Sequence, residues 1–126
     1  MKEVIAKLKF KSAGVVLNAP KDIGAQFEAA GFKTSLGKIQ KSANTLVFIN
    51  NNHEFIQFLQ EDLSSVEPDS VLWFAYPKGT SKIKTDINRD TLRATGEEFG
   101  ITTVAAISID DTWSGLRFRP VDRVGK

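Results

Sequence analysis

The stretch SVLWFAY at 70–76 is the most apolar run in the chain, and it limits what the rest can become. A strand with no polar face must be buried on both sides. That is the position of a central strand in a parallel sheet covered by helices. Two shorter runs share the character: GVVLNAP at 14–20, opened by Gly14 and closed by Pro20, and TLVFIN at 45–50.

Helical patterns alternate with these runs. Ile23, Phe27 and Ala30 fall on one face of a helix over 21–30, with Gly31 as its C-terminal cap. In HEFIQFLQEDLSSV, Phe55, Phe58, Leu59, Leu63 and Val66 form one apolar stripe, and Asn51 or Asn52 caps its start. A third helix is predicted over 88–99, capped by Asp86 or Asn88 and ended by Gly100. Val4, Ile5 and Leu8 place a short helix near the N-terminus, within 3–9.

Residues 32–36 are expected to form a short edge strand followed by a polar loop, and Glu67-Pro68-Asp69 reads as a turn. ITTVAAISID and TWSGLRFRPV read as two antiparallel strands joined by a tight Asp-Asp turn of about two residues. The expectation is a single α/β domain over 1–126. It is Rossmann-like, with a mostly parallel sheet, helices on both faces and a C-terminal antiparallel hairpin.

Composition removes several chemistries. Without cysteine there is no disulfide, no thiolate metal site and no cysteine nucleophile. His53 is the sole histidine, so no metal is expected, and a helix-start surface residue is the simpler reading. A net charge of +2, without an aromatic stacking series, is no nucleic-acid footprint. The charge is uneven, however: 51–75 carry five acids and no base, while 1–50 carry eight lysines and three acids. No apolar run approaches the roughly 20 residues that span a bilayer. Lysines interrupt the apolar stretches of the N-terminus, so no signal peptide is read, and a cytoplasmic location is the expectation.

In a parallel sheet with helical crossovers, the carboxyl ends of the strands share one edge, and ligands bind there. That edge should receive Asn18, Asn50 to His53, Lys78 to Asp86, and the turn Asp110–Thr112 followed by Trp113. The segment YPKGTSKIKTD leaves the most buried strand at this edge. The expected ligand is a small anion, or else a partner surface. Lys78, Lys82 and Lys84 would supply charge, Thr80 and Ser81 donors, and Trp113 an apolar wall, with Asn18, Asn50 and Asp110 converging nearby.

The motifs themselves are incomplete. GTSK lacks the spacing of a phosphate loop, and LNAPKD is not a dinucleotide fingerprint. No cofactor is expected. Ser81, His53 and Asp110 lack the G-x-S-x-G elbow of a hydrolase, and a hairpin turn explains Asp110–Asp111 as well as a cation site does. The expected role is therefore a non-catalytic binding protein. An assembly module using an exposed edge strand or the hairpin is the alternative from another class, and a reduced transferase is the third.

Two resemblances bear on this. LNAP, LWFAYPKGTSKIKTDINRD and DDTWSGLRF resemble a family of small bacterial proteins close to domain-of-unknown-function family 3052, which implies a compact α/β domain and no transferable activity. The order from TLVFIN onward is similar to the C-terminal half of class I methyltransferases. The chain departs from that family where S-adenosylmethionine is held. No glycine-rich loop follows GVVLNAP, and no acidic residue ends a second strand.

Overall fold

The computed structural model describes residues 2–37 and 40–124. The apolar run lies within a strand spanning Val66–Pro77 (β3), whose residues from Val71 to Pro77 are all buried. Side chains alternate along it. Leu72, Phe74 and Tyr76 enter one core, and Val71, Trp73 and Ala75 enter another on the opposite face.

Before β3 come a helix over Lys2–Leu8 (α1), a strand over Val15–Leu17 (β1), a helix over Lys21–Ala29 (α2), a strand over Ser42–Phe48 (β2) and a helix over Asn52–Glu61 (α3). After it come a helix over Arg89–Glu98 (α4) and strands over Ile101–Ser108 (β4) and Trp113–Pro120 (β5). The sheet order is β1-β2-β3-β5-β4. β1, β2 and β3 pair in parallel, and β5 runs antiparallel to both its neighbours. Four strands thus point one way, and their carboxyl ends share an edge with the start of β5.

The helices divide by face. Phe55, Phe58 and Leu59 of α3 and Leu92 of α4 pack on the Phe74 side, and Val4 and Leu8 of α1 with Ile23 and Phe27 of α2 pack on the Trp73 side. Trp73 also fastens α1, its indole N–H donating to the Leu8 carbonyl at 2.8 Å. The two faces record a reversal of winding. From β1 the chain crosses through α2 to Lys33, which bridges Val15 in parallel on the edge of β1 that β2 leaves free. It then returns past β1 to β2 and continues to β3. Right-handed crossovers taken in opposite directions put their helices on opposite faces.

Helix ends follow local chemistry. Asn51 caps α3 by accepting from the Glu54 N–H at 2.9 Å. Asn88 and Thr91 form a reciprocal capping box on α4. Gly31 and Gly100, at φ 93° and 85°, take the left-handed turn after α2 and α4.

Three expectations need correction. The edge strand at 32–36 is reduced to the single bridge at Lys33, because backbone pairing extends no further along β1. The polar loop expected after it includes Lys38 and Ile39, which lie outside the described residues. Glu67-Pro68-Asp69 is not a turn between elements but a bulge inside β3: Ser42 pairs with Val66, and pairing resumes only at Asn44 with Val71. Pro68 has no N–H for the ladder and Asp69 lies at φ 54°, so the segment is extruded. The hairpin is also looser than expected, with 109–112 between β4 and β5.

Asp69 is held by Arg119, whose Nε and Nη2 donate to its two carboxylate oxygens at 2.8 and 3.0 Å. The Arg119 hydrogen bond, working against partial desolvation, keeps the Asp69 carboxyl below its ordinary value, and the charges of Arg119, Arg123 and Arg117 add to it. A depressed carboxylate contributes stability that is present above its unfolded value and lost as pH falls through its folded one. Asp69→Asn should therefore flatten the acid side of the stability profile, read by urea denaturation between about pH 7 and about pH 3. Glu97, lowered chiefly by the Thr102 hydroxyl, remains in both proteins, so the difference isolates Asp69. An unchanged acid slope would show that the pair contributes nothing.

Candidate functional site

The carboxyl-end edge holds an open cleft of about 700 Å³. It lies where the winding reverses. Leu17 and Asn18 come from the end of β1, Thr34 to Leu36 follow the Lys33 bridge, and Asn50 follows β2. The remaining wall is one face of α3 and the residue after it: Glu54, Gln57, Phe58, Glu61 and Asp62. Positions 54, 57, 58 and 61 repeat at helical spacing, so a single helix presents two carboxylates, an amide and an aromatic ring to one side.

Each element positions its residues for local reasons. Asn18 takes the left-handed conformation at φ 60°, which asparagine tolerates better than most residues, and the chain turns within three residues into α2. Glu54 accepts from the backbone N–H of Asn50 at 2.9 Å and its amide at 3.3 Å, fixing Asn50 across the start of α3. The Asn50 carbonyl accepts from the Thr85 hydroxyl at 2.6 Å, and Asp86 accepts from the Asn52 N–H at 2.8 Å. The end of the lysine-rich segment is therefore laced to the start of α3. Asp86 serves this helix start rather than pairing with Lys84.

Of the residues singled out in the sequence, Asn18 and Asn50 line the cleft. The others form a separate neighbourhood. The Lys78 ammonium donates to the Ser108 hydroxyl at 2.6 Å, and its N–H to the Thr112 carbonyl at 2.7 Å. Ser81 turns back on the Lys78 carbonyl through its N–H at 3.0 Å and its hydroxyl at 2.8 Å. Asp110 accepts from the N–H groups of Thr112 and Trp113, both at 2.8 Å, which makes it the organiser of the hairpin turn. Trp113 is 5% exposed and packs edge-on against Phe48 at 5.1 Å, so its ring belongs to the core and offers no wall to a ligand. Thr80, Lys82 and Lys84 are exposed, and among the described residues neither Lys82 nor Lys84 makes an ion pair.

Sequence reasoning missed Thr34 to Leu36 and the polar face of α3. The first had no legible signal. The second had two: the helical spacing from Glu54 to Glu61, and the block of five acids without a base at 51–75. Three of those five acids line the cleft, and no lysine or arginine does. Among the described residues no three His, Asp or Glu side chains converge to hold a metal ion.

No family model matches the chain, and no curated protein compared with it matches either. The resemblance to family 3052 therefore rests on the motifs LNAP, LWFAYPKGTSKIKTDINRD and DDTWSGLRF alone. Among solved structures, the chain is similar to a SAM-dependent methyltransferase from Aquifex aeolicus at 13% identity and TM-score 0.54, over 93% of this chain and 87% of that one. A methyltransferase from Pyrococcus furiosus is matched at 13% identity and TM-score 0.47, over 95% and 82%. The Aquifex likeness shows a methyltransferase-like, Rossmann-type fold. Among the described residues, no helix is long and apolar enough to cross a membrane.

The residues themselves do not fit S-adenosylmethionine in the way that fold holds it. Asn18-Ala19-Pro20 stands where a glycine-rich loop would be needed, and Pro20 occupies the start of α2. The chain after the Lys33 bridge reads Thr34-Ser35, without a carboxylate.

Proposed function

We propose that this protein is a non-catalytic binding protein that takes a small organic cation, bearing amines or a guanidinium, into the cleft between β1, β2 and α3. The observation that carries the reading is the charge of the largest cleft described. It sits at the winding reversal, where α/β folds take ligands, and Glu54, Glu61 and Asp62 face it with no basic residue in its lining. Glu54 is already engaged with Asn50, and one Glu61 oxygen accepts from the Gln57 amide at 3.4 Å, so the other Glu61 oxygen and the Asp62 carboxylate are the recognition groups, with Asn18, Thr34 and Ser35 as hydrogen-bonding neighbours and Phe58 as the apolar floor. A small anion would be repelled here. The anionic ligand expected from the sequence would have to rest on Lys82 and Lys84, which line none of the cleft.

The test is thermal. Spermidine should raise the melting temperature with the logarithm of its concentration, and inorganic phosphate should not. The double variant Glu61→Gln with Asp62→Asn should weaken spermidine by about tenfold or more, since charge-assisted hydrogen bonds are the stronger kind. Stabilisation by phosphate, abolished in Lys82→Ala with Lys84→Ala, would instead establish the anionic reading. The fold likeness supports a methyltransferase-like enzyme as the second reading, and micromolar binding of S-adenosylmethionine in a calorimeter would overturn ours in its favour.

A further inference from the structure

The two outer edges of the sheet are treated differently. β1 is three residues long, and the Lys33 bridge occupies its outer side. β4 is eight residues long and reads ITTVAAIS, without a charge, a proline or a glycine. Among the described residues nothing pairs with its outer side. Folded proteins usually blunt such an edge with lysine or proline, because its free N–H and C=O groups are a template for another strand.

Those free groups can be placed. Beyond one end of β4 the Ile109 N–H donates to the Trp113 carbonyl, and beyond the other the Val121 N–H donates to the Gly100 carbonyl. Antiparallel ladders alternate, so Thr102, Ala105 and Ile107 bond to β5 and Ile101, Thr103, Ala106 and Ser108 face outward. Thr103 pairs with Phe118 and Ala105 with Arg117, which leaves Val104 as the extra residue of a bulge, 37% exposed. The outward positions are symmetric about the middle of the strand: 101 mirrors 108, and 103 mirrors 106. An identical strand laid antiparallel would meet each of them with its mirror position.

Charge points to the same partner. Arg89, Arg93 and Glu97 are exposed and form one row of α4 at i, i+4 spacing. The row lies over β4. Arg89 borders a shallow hollow with Thr103 to Ala106, and Glu97 accepts from the Thr102 hydroxyl at 2.7 Å. Its basic end is therefore at Ala106 and its acidic end at Thr102. A two-fold axis through the middle of β4 sets Arg89 of each copy beside Glu97 of the other. Arg93 falls near the axis, where Glu97 of its own helix already meets its charge at 3.4 Å. Among the described residues Arg89 has no ion-pair partner within the chain.

We infer that β4 is a self-association edge, through which two copies of this chain join their sheets about a two-fold axis, with α4 against α4. The same patch serves both subunits, so the assembly closes at two. It lies across the sheet from the cleft and shares no residue with it.

Sedimentation equilibrium of the full chain tests this. A strand edge with one helix row is a small interface, so the mass should climb from one chain towards two between about 10 and about 500 μM. Arg89→Glu and Glu97→Arg each put two like-charge pairs across the axis, and each should weaken association by about tenfold or more. Mixed in equal amounts the two variants should associate again, because every cross pair is then of opposite charge. Hydrogen exchange should show the amides of Thr103, Ala106 and Ser108 gaining protection as concentration rises. A monomer at about 500 μM would overturn the proposal. So would association that both variants retain, a mixture that stays monomeric, or protection gained elsewhere than on β4.

Discussion

Gly14→Ala should destabilise the protein by at least about 3 kcal/mol, enough to remove a large part of a typical domain's stability. A Cβ at position 14 would stand 1.9 Å from the Asn44 carbonyl oxygen and 2.8 Å from its carbon. Those are backbone atoms of β2, which is itself paired to β3 at Asn44 and Val71, so they cannot swing aside as a flexible side chain would. Asn44 is itself fixed: it is 5% exposed, its Oδ1 accepts from the Lys11 N–H at 3.0 Å, and its amide donates to Ser12 at 3.1 Å. The Gly14 carbonyl meanwhile accepts from the Lys33 N–H at 2.9 Å. One methyl group therefore strains both edges of β1, and with them two walls of the cleft. Gly79→Ala is the control, because its Cβ would meet nothing within 4 Å. Urea denaturation of both variants decides the matter. Equal, small effects would mean that the β1–β2 contact yields easily.

Phe74→Ala should cost about 3–5 kcal/mol. The ring is fully buried and meets Phe55, Phe58 and Phe118 edge-on at centroid distances of 4.9, 5.3 and 5.3 Å. It ties α3 to the sheet from below while Phe58 forms the cleft floor, so its loss loosens the site as well as the core. A double-mutant cycle with Phe55→Ala should give a coupling of about 0.5–1.5 kcal/mol, the range of aromatic pairs. Additive losses would mean that the rings only fill space.

Long, strongly patterned elements were legible in the sequence. SVLWFAY could only be a strand buried on two faces, and the Phe55, Phe58, Leu59 stripe could only be one side of a helix. What sequence could not reveal was pairing that depends on distant residues. Whether 32–36 became a strand hung on its fit beside β1, and the Glu67-Pro68-Asp69 segment became a bulge because β2 resumed pairing beyond it. The carboxyl ends of the strands do share one edge, as expected, but the residues there were weighed by chemistry rather than by neighbours. Lys82 and Lys84 stay exposed outside the cleft, Trp113 went to the core, and Asp110 and Ser81 serve turns. The acidic block at 51–75 carried the sign of the cleft, a signal that only the helix's orientation could direct inward.

The cleft's preference for a cation is tested most directly by an amide-resonance titration with spermidine and, separately, with phosphate. The account predicts that spermidine moves residues 34–36, Asn50 and the face of α3 from Glu54 to Asp62, with no response at 78–84. Phosphate shifts centred on Lys82 and Lys84, with the cleft silent to spermidine, would contradict it.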